Sequence, residues 1–227
     1  MSEICQKSCG VGALPFFRDF NSILVHEIEE RATLRLFSGQ EVAYFPGDSS
    51  NFVYWIKSGR VKISQVSGDG REFTFKHYFA GDMFGEDCMF SGALRSNCAQ
   101  ALEPTELICL DGRDFRALLS KDVELTLAVA QANLRRLREA EYVLSETVFR
   151  PVRKRIAAGL LRLYNKSGRR SATIQVTHQE MANLVGSTRE TTTSVLQGLR
   201  EAGLLETANR RVTVLDPEGL ARFARAS

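Results

Sequence analysis

The chain has 227 residues, 44% of them hydrophobic and 25% charged, with 17 Gly and 5 Pro. That length suits one large or two modest domains, and that composition buries a core, which excludes disordered, collagenous and coiled-coil-only chains. No apolar run approaches the roughly 18 residues a membrane span needs, and the polar start (MSEICQKSCG) with five irregularly spaced Cys leads us to expect a cytoplasmic protein with reduced thiols and no membrane contact.

The net charge of +3 conceals an asymmetry. Residues 151–227 carry thirteen Lys/Arg against six Asp/Glu, a balance of +7, which leaves −4 for residues 1–150. A basic C-terminal third on a mildly acidic remainder points to a polyanion-binding module joined to something else.

In chain order, residues 13–30 read as helical material. Residues 34–112 read as short strands (EVAYF, FVYWI, RVKISQV, EFTFKHYF, ELICL) separated by Gly- and Asp-containing turns, the pattern of an antiparallel sandwich or barrel. From Val123 to Val148 apolar residues fall at Val123, Leu127, Ala130, Leu134, Leu137, Leu144 and Val148, with Glu141 completing a seam of alternating spacings of 4 and 3. Such a seam suits a long helix that pairs with its twin in a homodimer. Phe149-Arg150-Pro151 interrupts it, because Pro cannot continue a helix but suits the first turn of the next, so a hinge is expected there. A helix over 152–165 and a short strand at 174–176 follow.

Thr177 and Glu180 form a capping box at the head of a helix carrying Met181, Leu184 and Val185 inward. Gly186-Ser187-Thr188 turns into a second helix, from about Arg189 to Glu201, and a hairpin around Asn209 offers Arg210 and Arg211 to phosphates. Two short helices joined by a Gly-containing turn make a helix-turn-helix whose second member fits the major groove of double-stranded DNA. Arg189, Glu190, Thr193 and Ser194 lie near the exposed start of that second helix. Arg donates twice to guanine O6 and N7, and Glu accepts from cytosine N4; Glu190 equally suits a cap three residues after Ser187, and Arg189 a solvated charge. Three His (His26, His77, His178) in no triad or metal spacing, and no phosphate-binding loop, dinucleotide fingerprint or zinc-protease motif, argue against an enzyme.

Over roughly residues 14–220 the chain resembles the transcription-factor superfamily of the cyclic-AMP receptor protein and the fumarate–nitrate reductase regulator, most specifically in VTHQEMANLVGSTRETTTSVLQGLREAGLLE. The resemblance implies an α+β fold: a cyclic-nucleotide-binding-type antiparallel β-barrel (jelly roll) over 1–118, a dimerisation helix and hinge over 119–150, and a winged helix-turn-helix over 151–227. It implies base reading by Arg189 and Glu190, phosphate contacts by Gln179 and Thr188, an inverted-repeat operator, and RNA polymerase as a partner. The family's usual second base-reading Arg is Ser194 here.

The stretch FAGDMFGEDCMFSGALRSNCAQA is similar to the family's phosphate-binding cassette, and implies cAMP or cGMP as effector. By that likeness Arg95 and Ser96 would hold the cyclic phosphate, Glu86 a ribose hydroxyl, and Gly85 would let backbone approach; a structural Arg95–Glu86 salt bridge in an empty pocket is the alternative. Where the cyclic-AMP receptors place Thr-Ser to reach the base, this chain has Ala140 and Glu141, and Lys76 replaces a small polar residue. Glu141 either accepts from guanine donors or sets register on the seam. No metal is expected, although Cys5, Cys9 and Cys109 resemble part of an iron–sulfur ligand set that normally needs four thiolates. A regulator with a redox or other small-molecule sensor, a ligand-independent regulator, and a cyclic-nucleotide adaptor without specific DNA binding are the competing readings.

Overall fold

The computed structural model describes residues 9–49, 51–86, 92–166, 172–208 and 210–225, and the backbone of 4–5. The chain forms two compact units, one of residues 1–65 with 75–136, the other of residues 66–74 with 137–227.

Among the described residues the strands that lie wholly or mainly in the first unit are β1 (Ile4–Cys5), β2 (Thr33–Phe37), β3 (Val42–Tyr44), β4 (Phe52–Ser58), β5 (Arg60–Val66), β6 (Glu72–Phe79), β7 (Met83–Phe84), β8 (Cys98–Ala101) and β9 (Thr105–Asp111). They make two antiparallel sheets, in the orders β1-β2-β9-β4-β7 and β3-β8-β5-β6. The barrel expected from the sequence is thus a two-sheet jelly roll rather than a closed cylinder. One core lies between the sheets: Tyr54, Ile56, Phe84 and Leu107 from the first meet Tyr44, Val61, Ile63, Tyr78 and Ala99 from the second. A second core covers the other face of the first sheet. There Val53, Trp55, Ile108 and Leu110 pack with Phe17, Leu24, Ile28, Phe115, Leu118, Leu125 and Val129.

Burying both faces of one sheet explains its sequence. Successive strand residues point to opposite faces, so β4 sends Val53 and Trp55 one way and Tyr54 and Ile56 the other, and reads as an unbroken apolar run. Trp55 is fully buried, 5.3 Å from the Phe17 ring and edge-on to Phe115 at 5.6 Å. Helix α1 (Ser22–Arg31) starts where the Asn21 side chain accepts from the Leu24 N–H. Helix α2 (Gly112–Lys121), which the strand-by-strand reading did not anticipate, supplies Phe115 and Leu118 to this outer core.

Helix α3 (Val123–Phe149) is 27 residues long. Its first turns bury Leu125 and Val129, while Val123, Leu127, Leu134, Leu137, Leu144 and Val148 stay 55–72% exposed. The seam residues therefore lie away from the helix's own core contacts.

The second unit continues from α3 through α4 (Val152–Lys166), β10 (Thr173–Gln175), α5 (His178–Val185), α6 (Arg189–Glu201), β11 (Leu205–Ala208), β12 (Arg211–Val214) and α7 (Pro217–Arg225). Strands order β10-β12-β11, all antiparallel. Helix α4 buries Ile156, Leu160 and Leu163 and packs on α5, α6 and α7. The break predicted at 149–151 is present and is tied down by charge. Glu146, almost fully buried, takes Arg150 at 2.7 Å and Arg162 at 3.4 Å. Lys154 donates to the Phe223 carbonyl at 2.7 Å and Arg150 to that of Ala224 at 3.3 Å, so two cations cap the C-terminal end of α7.

Candidate ligand pocket and nucleic-acid interface

In the first unit the chain leaves β7 through Gly85, whose φ of +84° belongs to the left-handed region. A Cβ there would lie 3.0 Å from Tyr54 Cδ2 and 3.2 Å from Arg95 Nη1, so glycine is required both for conformation and for room. Gly85→Ala is expected to cost about 1–3 kcal/mol from the strained backbone, read by denaturant unfolding; unchanged stability would show that the turn relaxes freely.

Arg95 is 3% exposed. Its guanidinium donates to the Phe52 carbonyl at 2.6 Å and to the Gly85 carbonyl, and lies 4.3 Å from the Tyr44 ring centre. Ser96 is exposed beside it, and residues 87–91 of the cassette fall outside the described residues. Glu86 is fully buried. Its ion-pair partner is Arg136 of α3, which replaces the Arg95–Glu86 bridge considered from the sequence. Arg136 also donates to the Met83 carbonyl, and its guanidinium lies 5.3 Å from the Tyr78 ring. The same ring takes Lys76 Nζ at 5.1 Å, which brings Lys76 into the Glu86–Arg136 cluster. Glu86 Oε2 has no hydrogen-bond partner among the described residues. Glu141 lies on the exposed surface of α3 in the second unit.

Sequence reasoning passed over Arg136. A buried carboxylate demands a compensating cation, yet nothing in Leu134–Arg138 distinguishes Arg136 from Arg135 or Arg138 before the helix has been docked.

In the second unit the capping box is formed: Thr177 accepts from the Glu180 N–H at 3.1 Å, and Glu180 accepts from the Thr177 N–H at 2.6 Å. Gly186, at φ +63°, makes the left-handed end of α5 that the turn needs. Thr188, not Ser187, caps α6 by accepting from the Thr191 N–H at 3.2 Å, so Arg189 and Glu190 are its first two residues. The Glu190 carboxyl is held below the usual carboxylate range by its own backbone N–H and the Thr188 hydroxyl. It is an ionised acceptor. Gln179 donates to Asn183 Oδ1 at 2.8 Å, while Thr193 and Ser194 lie exposed on α6.

Gln179, Arg189, Arg210 and Arg211 line one groove of about 540 Å³ between the start of α5, the start of α6 and the β11–β12 wing, together with Thr177, His178 and Thr207. Arg210 enters at φ +64°, part of the tight wing turn. Three guanidiniums line it and, among the described residues, no carboxylate does, which is chemistry for an anion.

Cys9 and Cys109 are both buried. Burial pushes the Cys109 thiol up to about 12, with the neighbouring Cys9 adding to the rise, which disfavours the thiolate a metal ligand or redox centre needs. Cys5 pairs through its backbone with Leu34, and its side chain lies outside the described residues, as does Cys88. Among the described residues no three His, Cys, Asp or Glu side chains converge as a metal-binding group. Among the described residues no helix is long and apolar enough to cross a membrane.

The cyclic nucleotide-binding domain family matches residues 34–122, and the Crp-like helix-turn-helix domain family matches residues 154–223. The chain is 32% identical over 190 residues to the cyclic AMP receptor protein of Thermus thermophilus, covering 84% of this chain and 87% of that one. It is 27% identical over 213 residues to the global nitrogen regulator of Synechocystis, covering 91% and 92%. A crystal structure of a CRP-family transcriptional regulator from Thermus thermophilus matches with a TM-score of 0.71 at 29% identity, over 85% of this chain and 97% of that one. A cyclic-nucleotide-type jelly roll followed by a long helix and a winged helix-turn-helix defines a class of DNA-binding transcription regulators. Within that class, the chain belongs to the cyclic-AMP receptor protein family.

Proposed function

We propose that this transcription regulator works as a homodimer on an inverted-repeat operator, and that a cyclic nucleotide, cAMP or cGMP, bound by the jelly roll sets its DNA affinity. The observation that carries the effector reading is Glu86: a fully buried carboxylate with one oxygen paired to Arg136 and the other without a partner among the described residues. Such an oxygen accepts a ribose hydroxyl without further desolvation cost. Arg95 and Ser96 would take the cyclic phosphate, which competes with the Phe52 and Gly85 carbonyls for the same guanidinium donors. Lys76 would approach the base, and Glu141 is a proposed acceptor for guanine. The functional division is then an effector domain at 1–118, a dimerisation helix and hinge at 119–150, and a DNA-binding domain at 151–227.

The coupling follows from Arg136. It pairs with the pocket carboxylate and stands on α3, so a ligand that draws on Glu86 changes what holds that helix, and a population shift along α3 to residues 149–151 would follow. In the DNA complex, Arg189 and Glu190 read bases, Thr193 and Ser194 approach them, and Gln179, Thr188, Arg210 and Arg211 position the phosphates. RNA polymerase is the partner expected of a regulator of this family. A redox or iron–sulfur input through Cys5, Cys9 and Cys109 is the weaker reading, because the Cys109 thiol is held protonated.

The test is calorimetric titration of the reduced, metal-free protein with cAMP and cGMP. Saturation near one ligand per subunit, lost in Arg95→Ala, is the expected result; no heat with either nucleotide, with a thermal-shift assay agreeing, would overturn the effector assignment. The exposed seam carries the dimer. Leu137→Glu is expected to shift sedimentation toward the monomer, since like charges would meet on an apolar seam, and an unchanged mass would move the interface elsewhere.

A further inference from the structure

The groove between α5, α6 and the wing contains one residue whose charge is not fixed near neutral pH. We propose that His178 is a protonation-controlled phosphate ligand, so that DNA binding by this protein strengthens as the pH falls through the neutral range. This rests on the DNA-binding reading above and adds a regulator to it.

His178 is the first residue of α5 and lines the groove with Arg189, Arg210 and Arg211. Its Nδ1 is 2.9 Å from the Thr193 hydroxyl of α6, which fixes the ring across the two helices of the motif. That bond leaves Nε2 as the atom available to a ligand, in a groove whose other charged liners are permanent cations. The ring is half-buried, near the positive N-terminal end of α5, where an anion is also favoured by the backbone amides.

Three elements bring charged groups to the neighbourhood of His178. On α5, Glu180 is engaged by the Thr177 N–H in the capping box. On α6, Arg189 pushes against a second positive charge, and Glu190 is an exposed carboxylate. On the wing, Arg210 and Arg211 add further positive charge. Burial and the Arg189 charge together lower the His178 pKa below its usual 6.5 in the free protein. A phosphate oxygen at Nε2 outweighs both effects: its negative charge accepts from the imidazolium in place of water and offsets the arginines. The pKa therefore rises in the complex. Between the two pKa values the complex holds a proton that the free protein lacks, so affinity rises as pH falls through the complexed pKa and levels off below the free one. A shift of one pKa unit corresponds to about a tenfold gain at each half-site.

The experiment measures binding of the full chain, with and without cAMP, to short duplexes of several arbitrary sequences between pH 8 and pH 6 at fixed ionic strength. Wild type is expected to gain severalfold toward pH 6 on every sequence, because phosphates are present in all of them. His178→Gln can keep a hydrogen bond to Thr193 without a titratable charge and is expected to lose that gain. His178→Arg is expected to bind tightly across the range with a flat pH profile. At pH 6 the log–log salt dependence of wild type should exceed that of His178→Gln by about one per half-site. A pH profile that persists unchanged in His178→Gln overturns the proposal, and a gain confined to particular sequences overturns the phosphate assignment. Failure of wild type to bind any duplex at low salt at either pH would instead overturn the DNA-binding reading itself.

Discussion

Replacing Arg136 by methionine is expected to destabilise the first unit by about 3 kcal/mol, toward the lower end of the range for removing one member of a buried ion pair. The lower end applies because the Arg136 side chain is 20% exposed whereas Glu86 is 1% exposed, so solvent already screens one partner. The loss comes from stranding the carboxylate. Glu86 would keep its desolvated oxygens without their guanidinium, and the Met83 carbonyl would lose a donor as well. The double variant Glu86→Gln/Arg136→Met is expected to recover much of the deficit, since a neutral amide is far cheaper to bury unpaired. Urea unfolding of the two variants decides the matter; a double variant no more stable than the single one would mean that Arg136 acts through its packing on Tyr78. The same single variant is expected to weaken cyclic-nucleotide binding, because the carboxylate it releases is free to reorient.

Arg189→Ala is expected to cost about 1–3 kcal/mol, roughly tenfold to a hundredfold, on duplexes selected by the wild-type protein from a random pool. The reason is positional. Thr188 supplies the cap of α6, so the Arg189 side chain is not needed for that, and among the described residues it makes no ion pair. Its guanidinium lines the groove at the exposed start of the helix and can meet the two acceptors of guanine. Binding to unselected DNA should weaken much less, since the remaining cations still meet phosphates. Selection repeated with the variant should lose preference at one base pair in each half-site. Equal losses on selected and unselected duplexes would make Arg189 a phosphate contact.

The second unit was legible in the sequence because its determinants are local. Thr177 and Glu180 are three residues apart and make a capping box in any helix that begins there. Gly186 satisfies a left-handed turn within its own backbone, and Arg189 to Glu201 carries its apolar residues with the period of one buried helix face. Even there the sequence leaves the cap of α6 open. Ser187 and Thr188 both suit the position, and only the turn geometry after Gly186 selects Thr188. Helix α7 is not legible in the sequence because its short apolar pattern gains meaning only once Lys154 of α4 and Arg150 of the break before it reach its carbonyls.

The sequence by itself determined that residues 34–112 are built from short strands, where the long helix and its apolar seam run, and which residues crowd the start of the recognition helix. Periodicity, turn chemistry and capping act over a few residues and need no partner. Tertiary structure alone decided that the β-rich unit is two sheets with a core on each side of the first, that Glu86 pairs with Arg136 fifty residues away, and that His178 reaches Thr193. Those pairings depend on how elements dock. Several side chains of the same type compete for each partner, and burial, which sequence spacing does not encode, chooses among them.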